Sequence, residues 1–143
     1  MYNTVLVPID LAEKGYTDKV IENALHLLKP DGNLILLTAV AGYQMPIVGS
    51  HFKPGTFDKA VKQVHKKLID FVSDELPIDA ETCTIKVIEG KPAETILSVA
   101  KDSKVDVIVM ASHKQSRVGH MMVGSIANKV LGLANIPVMV IKG

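Results

Sequence analysis

Five short aliphatic runs alternate with four amphipathic segments along the chain, and this alternation restricts the possible folds more than any other feature. The runs are "TVLVPID" (4–10), "NLILLTAV" (33–40), "CTIKVIEG" (83–90), "VDVIVMAS" (105–112) and "PVMVIK" (137–142). They are rich in β-branched residues, and most are continuously apolar, as expected of strands buried on both faces. Between the first two, Val20, Ile21, Ala24, Leu25 and Leu28 recur at helical spacing over about 16–29, and Pro30-Asp31-Gly32 ends the pattern. After a stretch of Pro and Gly without periodicity (41–56), Phe57, Ala60, Val61, Val64, Leu68, Phe71 and Val72 form an apolar stripe reaching Glu75. Pro92 opens a helix over 92–102 with Ala93, Ile96, Leu97 and Ala100 on one face, and 124–134 reads as another. Strands apolar on both sides need cover on both sides, and parallel strands need a crossover element. The pattern therefore predicts an α/β domain of three layers, with a five-stranded parallel sheet between helices. The chain's 143 residues suit a single domain, 1–143, with a substantial core.

Composition excludes several classes of partner. Lys+Arg (16) and Asp+Glu (15) nearly cancel, so no global charge attracts a nucleic acid. Aromatics are 4% and Trp is absent, which leaves no stacking platform for single strands. Cys83 is the single cysteine, so no internal disulfide forms and a reducing compartment suits the chain. No apolar run approaches the roughly 20 residues that span a bilayer, and "MYNTVLVPID" lacks the features of a signal peptide. The expectation is a soluble cytoplasmic protein with no membrane or nucleic-acid partner.

In an open parallel sheet, ligands bind beyond the carboxyl ends of the strands, where strand order reverses. That directs attention to Pro8-Ile9-Asp10, Ala39-Val40-Ala41, Glu89-Gly90-Lys91 and Met110-Ala111-Ser112-His113. Gly124-Ser125 follows at the start of a helix. Glycine admits close approach to the backbone, and the unpaired N–H groups of a first helical turn attract an anion. Ser125 is a favoured N-cap whose hydroxyl can also donate to an anion. Lys114 and Arg117 add positive charge to the preceding loop. The alternative is that Ser125 only caps its helix and the basic residues are solvated. Neither GxxxxGK[ST] nor GxGxxG is present, which disfavours a P-loop NTPase or a standard dinucleotide site.

Together, "VLVPID", "VDVIVMASHK…VGS" and "IPVMVIK" resemble the universal stress protein family over essentially the whole chain. The resemblance implies a Rossmann-like fold of the adenine nucleotide alpha hydrolase type. The nucleotide-binding branch of that family has Gly-x-x-Gly, nine residues, then Gly-Ser or Gly-Thr. Here Ala111, Lys114, Gly124 and Ser125 occupy those positions with the spacing intact. Ala111 is a small change from glycine. Lys114 is a larger one, which either prevents a close backbone approach or supplies a charged contact. The resemblance implies a site for ATP or AMP, with or without Mg2+. Its adenine pocket would use Pro8, Ile9, Asp10, Ala39 and Val40. Its phosphate and ribose contacts would come from Met110, Ala111, His113, Lys114, Gly124, Ser125 and Ile126. A carboxylate such as Asp10 accepts hydrogen bonds from a ribose hydroxyl or an adenine amino group but repels phosphate. As a plain turn-capping residue, Asp10 has an alternative structural role.

Catalytic chemistry has little support. His113 lies in the site region, but no second His, Cys or acid stands at metal-ligand spacing, and His120 has no supporting motif. Ser112 adjoins His113, yet sequence neighbours do not make a triad. His26, His51 and His65 read as loop or helix-face residues, Cys83 as a small core residue and Met121-Met122 as packing. Lys59, Lys62, Lys66 and Lys67 read as a solvated helix face. No catalytic residue and no metal site is assigned. The expectation is a regulatory protein, responding to ATP or AMP with slow or absent turnover, with an unidentified downstream partner. A weak ATPase or phosphotransferase and a nucleotide-free interaction module are the alternatives. The strand 137–142 would end the sheet at an edge, and edge strands need cover. The resemblance implies that it pairs with its own copy in a homodimer.

Overall fold

Continuous apolar runs become the strands of one parallel sheet in the computed structural model, which describes residues 1–10, 17–40, 56–75, 82–112 and 124–142. The elements are β1 (Tyr2–Pro8), α1 (Thr17–Leu27), β2 (Leu28–Val40), α2 (Thr56–Glu75), β3 (Cys83–Glu89), α3 (Pro92–Asp102), β4 (Val107–Ser112), α4 (Ser125–Leu133) and β5 (Val138–Lys142). Strand order is β3-β2-β1-β4-β5, and every pairing is parallel. The chain starts at the sheet's centre, winds outward to β3, then returns to the other side of β1 for β4 and β5. The reversal of strand order lies between β1 and β4.

Alternation along β1 divides the core into two layers. Val5, Val7 and Ile9 join Val20, Ile21 and Ala24 of α1 and Leu68 and Val72 of α2 on one face. Leu6 joins Ala93, Ile96, Val99 and Ala100 of α3 and Ala127 and Val130 of α4 on the other. Leu6 is in register with both Ile35 and Ile108, and all three are buried. Each fully buried side chain of this size contributes roughly 1.5–3 kcal/mol. On α2, Lys59, Lys62, Lys66 and Lys67 are exposed, as the apolar stripe requires. The side chains of Phe57, Ala60 and Phe71 and residues 41–55 lie outside the described set.

Two boundaries differ from the sequence reading. The helix ends at Leu27, and β2 starts at Leu28 rather than Asn33. Leu28 pairs with Tyr2 before the regular ladder begins at Thr4↔Asn33, so the strand opens with an irregularity containing Pro30-Asp31-Gly32. Gly32 is required there, because a Cβ would lie 2.6 Å from Leu28 Cδ1 and 2.9 Å from the Asn3 carbonyl oxygen. At the other boundary β4 starts at Val107, not Val105. Val105 instead closes α3, its N–H donating to the Ala100 carbonyl at 2.9 Å. Asp106 Oδ2 accepts the N–H groups of Asn3 (3.1 Å) and Thr4 (2.9 Å), which fixes the entry of β1 against β4.

Candidate functional site

The β1–β4 ladder contains two registered pairs, Val5↔Val107 and Leu6↔Ile108, whereas β1 stays paired with β2 as far as Pro8↔Leu37. Beyond Leu6 the carboxyl ends of β1 and β4 are therefore no longer held together, and a crevice of about 380 Å³ opens where the strand order reverses. The tail of β1 forms one wall. Ile9 N–H donates to the Leu37 carbonyl at 2.8 Å, and Thr38 Oγ1 donates to the Ile9 carbonyl at 3.1 Å. These bonds pin Pro8-Ile9-Asp10 to the end of β2. The opposite wall is Met110-Ala111 of β4 with the first turn of α4.

Most of the residues expected from the sequence come together here. Pro8, Ile9, Asp10, Ala39, Met110, Ala111, Gly124, Ser125 and Ile126 line the crevice. Val40 does not, and its carbonyl accepts the Gly90 N–H at 3.0 Å on the side toward β3. His113, Lys114, Arg117, His120, Met121 and Met122 lie outside the described residues. Ser112 is buried at 1% exposure and is not among the crevice's lining residues. The lining also includes Leu37, Thr38, Pro92, Ile96 and Ala127, which sequence reasoning about strand ends passed over. Ile96 and Ala127 stand on the inward faces of α3 and α4, and their helical spacing was the available signal. Leu37, Ile96, Met110 and Ala127 are all buried, giving the crevice an apolar floor. Asp10 is the single ionisable side chain among the described lining residues and is exposed at the rim.

The start of α4 corrects one expectation. Gly124, not Ser125, is the N-cap, with extended backbone (φ −62°, ψ 160°), and its carbonyl accepts the Asn128 N–H at 2.8 Å. Ser125 is the first helical residue and is exposed, so its hydroxyl is not spent capping the helix. The N–H groups of Ser125, Ile126 and Ala127 have no acceptor within the helix, and the first turn carries no acidic residue. A Cβ built on Gly124 meets no described atom within 4 Å. Neither backbone strain nor packing within the described chain demands glycine here. Among the described residues, no side chain at this position covers the first-turn N–H groups, the arrangement that accepts an anion.

Cys83 has a packing role. Cys83 is half-buried at the start of β3 and packs against the α1/α2 core. Burial pushes its thiol from 9.0 up to about 11, so it stays protonated and unreactive at neutral pH. Among the described residues no group of three His, Cys, Asp or Glu side chains could hold a metal, and no helix is long and apolar enough to cross a membrane.

Comparison with known proteins agrees with this geometry. The model of the universal stress protein family matches residues 1–142. Universal stress protein G of Escherichia coli O157:H7 is 25% identical over 99% of this chain and 100% of its own length. Universal stress protein YxiE of Bacillus subtilis is 28% identical over 99% of this chain and 100% of its own. Among solved structures, protein MJ0577 superposes with a TM-score of 0.75 at 22% identity, covering 100% of this chain and 97% of that one. A universal stress protein solved in complex with cAMP superposes with a TM-score of 0.61 at 18% identity, covering 99% and 97%. From its first strand to its last, this chain belongs to the universal stress protein family.

Proposed function

We propose that the crevice binds an adenine nucleotide, ATP or AMP, and that occupancy acts as a regulatory signal with little or no turnover. One observation supports this reading: an apolar floor ends at a helix N-terminus whose N-cap glycine puts no side chain over the first-turn N–H groups. The floor of Leu37, Ile96, Met110 and Ala127 suits a flat purine, and the first turn of α4 suits a phosphate. Asp10 at the rim suits ribose hydroxyls or the adenine amino group. His113 and Lys114 belong to the phosphate side by the resemblance of their loop. The complex of a related protein with cAMP supports an adenine ligand in this fold. The described lining has no acidic cluster, so any Mg2+ would be held chiefly by the nucleotide's own phosphate oxygens. With Asp10 its one ionisable group, the described lining offers no paired nucleophile and base, which favours binding over turnover.

The same reading makes the protein a cytoplasmic homodimer joined along β5, which ends the sheet and exposes Met139 at 37%. Calorimetric titration with ATP, AMP and NAD tests the ligand. Saturable binding of ATP or AMP, with NAD weaker, is expected, whereas no heat with any of the three refutes it. Light scattering tests the assembly: a dimer mass is expected, and a monomer mass at tens of micromolar refutes the β5 pairing.

A further inference from the structure

The tail of β1 is held by a side chain where the sheet ladder gives out. Registered pairing of β1 with β2 stops at Pro8↔Leu37. One step further, a regular parallel ladder would bring the Ala39 N–H to the Ile9 carbonyl. Ile9 and Thr38 do not form that next pair, and the Ile9 carbonyl instead accepts the Thr38 hydroxyl at 3.1 Å. The hydroxyl has one hydrogen, and this bond uses it. Thr38 is a firm anchor, because β2 lies between β1 and β3 and Thr38 is in register with Val87 of β3. By alternation it shares the sheet face of Leu36, in the α1/α2 core, whereas Leu37 belongs to the crevice floor. Its hydroxyl thus acts on the β1 wall.

A carbonyl does not move alone. The Ile9 C=O lies in one rigid peptide plane with the Asp10 N–H and Asp10 Cα. Orienting the carbonyl therefore orients the point from which the Asp10 side chain leaves the backbone. Asp10 is exposed at the rim of the crevice. A carboxylate accepts hydrogen bonds through two oxygens, and the vicinal hydroxyls of a ribose are matching donors. A nucleotide with its base on the apolar floor and its phosphate at α4 has its ribose between the two. Resting on the nucleotide reading of the crevice, we infer that Thr38 is a positioning residue for ribose recognition. Through the Ile9–Asp10 peptide it aims the Asp10 carboxylate at the 2′ and 3′ hydroxyls. Sugar selectivity is then set by a side chain that acts through Asp10.

Calorimetric titration of the intact protein with ATP and with 2′,3′-dideoxy-ATP tests the inference. The wild type should prefer ATP by about tenfold or more, the value of a hydrogen bond to a charged acceptor. Thr38→Val keeps the branched shape that suits a strand and lacks the hydroxyl. It should cut the preference to about threefold or less, with the dideoxy-ATP Kd within about twofold of wild type. Thr38→Ser restores a hydroxyl and should recover most of the preference. In an Asp10→Ala background, Thr38→Val should have no further effect on ATP affinity. If Thr38→Val does not fold, Thr38→Ala removes the same hydroxyl and is read in the same way. Equal losses for both ligands, no loss for either, no recovery in Thr38→Ser, or an undiminished effect in the Asp10→Ala background each overturn the positioning role. So does a wild type that binds the two ligands alike. All of these results leave the nucleotide site standing, whereas no binding of either ligand to the wild type overturns both readings.

Discussion

Substituting Gly124 with Val separates a glycine kept for a ligand from one kept for the fold. The backbone at Gly124 is extended (φ −62°, ψ 160°), a conformation that Val adopts readily, and the added Cβ meets no described atom within 4 Å. The folding cost is therefore limited to losing a favourable N-cap residue, about 0.5–1 kcal/mol. That corresponds to a fall in Tm of roughly 2–4 °C for a chain of this size. The binding cost is much larger. A branched side chain at the N-cap projects over the N–H groups of the first turn, and each hydrogen bond to a charged acceptor is worth roughly 1.5–3 kcal/mol. Losing two of them weakens binding by about 100-fold or more. Scanning calorimetry should show a nearly intact fold, and titration with ATP should show the loss. Unchanged affinity refutes the placement of phosphate at α4, and a collapse of Tm by more than 10 °C refutes the claim that the fold leaves this space open.

Gly90 illustrates the opposite case: it has φ +156°, and a Cβ would lie 2.5 Å from Oγ1 of buried Thr95, so Gly90→Ala should destabilise by about 2 kcal/mol in urea unfolding. Adding Thr95→Ala removes that contact and should recover part of the loss, and full wild-type stability in the single variant refutes the steric account. Lys104 closes α3 in the left-handed region (φ 51°), with its N–H on the Lys101 carbonyl at 3.3 Å and the Val105 N–H on the Ala100 carbonyl at 2.9 Å. Glycine is favoured at this position, so Lys104→Gly should stabilise the protein by about 0.5–1 kcal/mol, read as a rise in Tm. The Cys83 thiol, raised to about 11, should label with a thiol reagent at pH 8 at least tenfold more slowly in the folded protein than in urea. Over pH 9–11 the folded state keeps this proton while the unfolded state loses it, so the Cys83 contribution to stability falls as pH rises.

Legibility in the sequence followed the strength of the local signal. Runs such as "NLILLTAV" and "VDVIVMAS" are largely apolar on both sides and alternate with amphipathic helical segments, the pattern of a covered parallel sheet, so the fold was readable from periodicity. Strand starts were not, because pairing of Leu28 with Tyr2 and capture of Asp106 by two backbone N–H groups are long-range events with no local signature. The rule that ligands sit beyond strand ends led to Pro8-Ile9-Asp10 and Met110-Ala111, but it attends to loops. It therefore passed over Ile96 and Ala127, which reach the crevice from the inward faces of helices. Val40 does not line the crevice, and its place at a strand end does not reveal that its carbonyl is used by the turn at Gly90. Ser125 was read as the cap because its side chain suits that role, whereas the backbone places the cap one residue earlier.

The central claim, that the gap between the ends of β1 and β4 is an adenine nucleotide site, is tested most directly by following backbone amide resonances during titration with ATP. Saturable shifts concentrated at Ile9, Asp10, Ala39, Ala111 and Gly124 to Ala127, with β3 and the middle of α2 unmoved, are the predicted result. Shifts clustered away from this crevice, or no shifts at millimolar ATP, would contradict it.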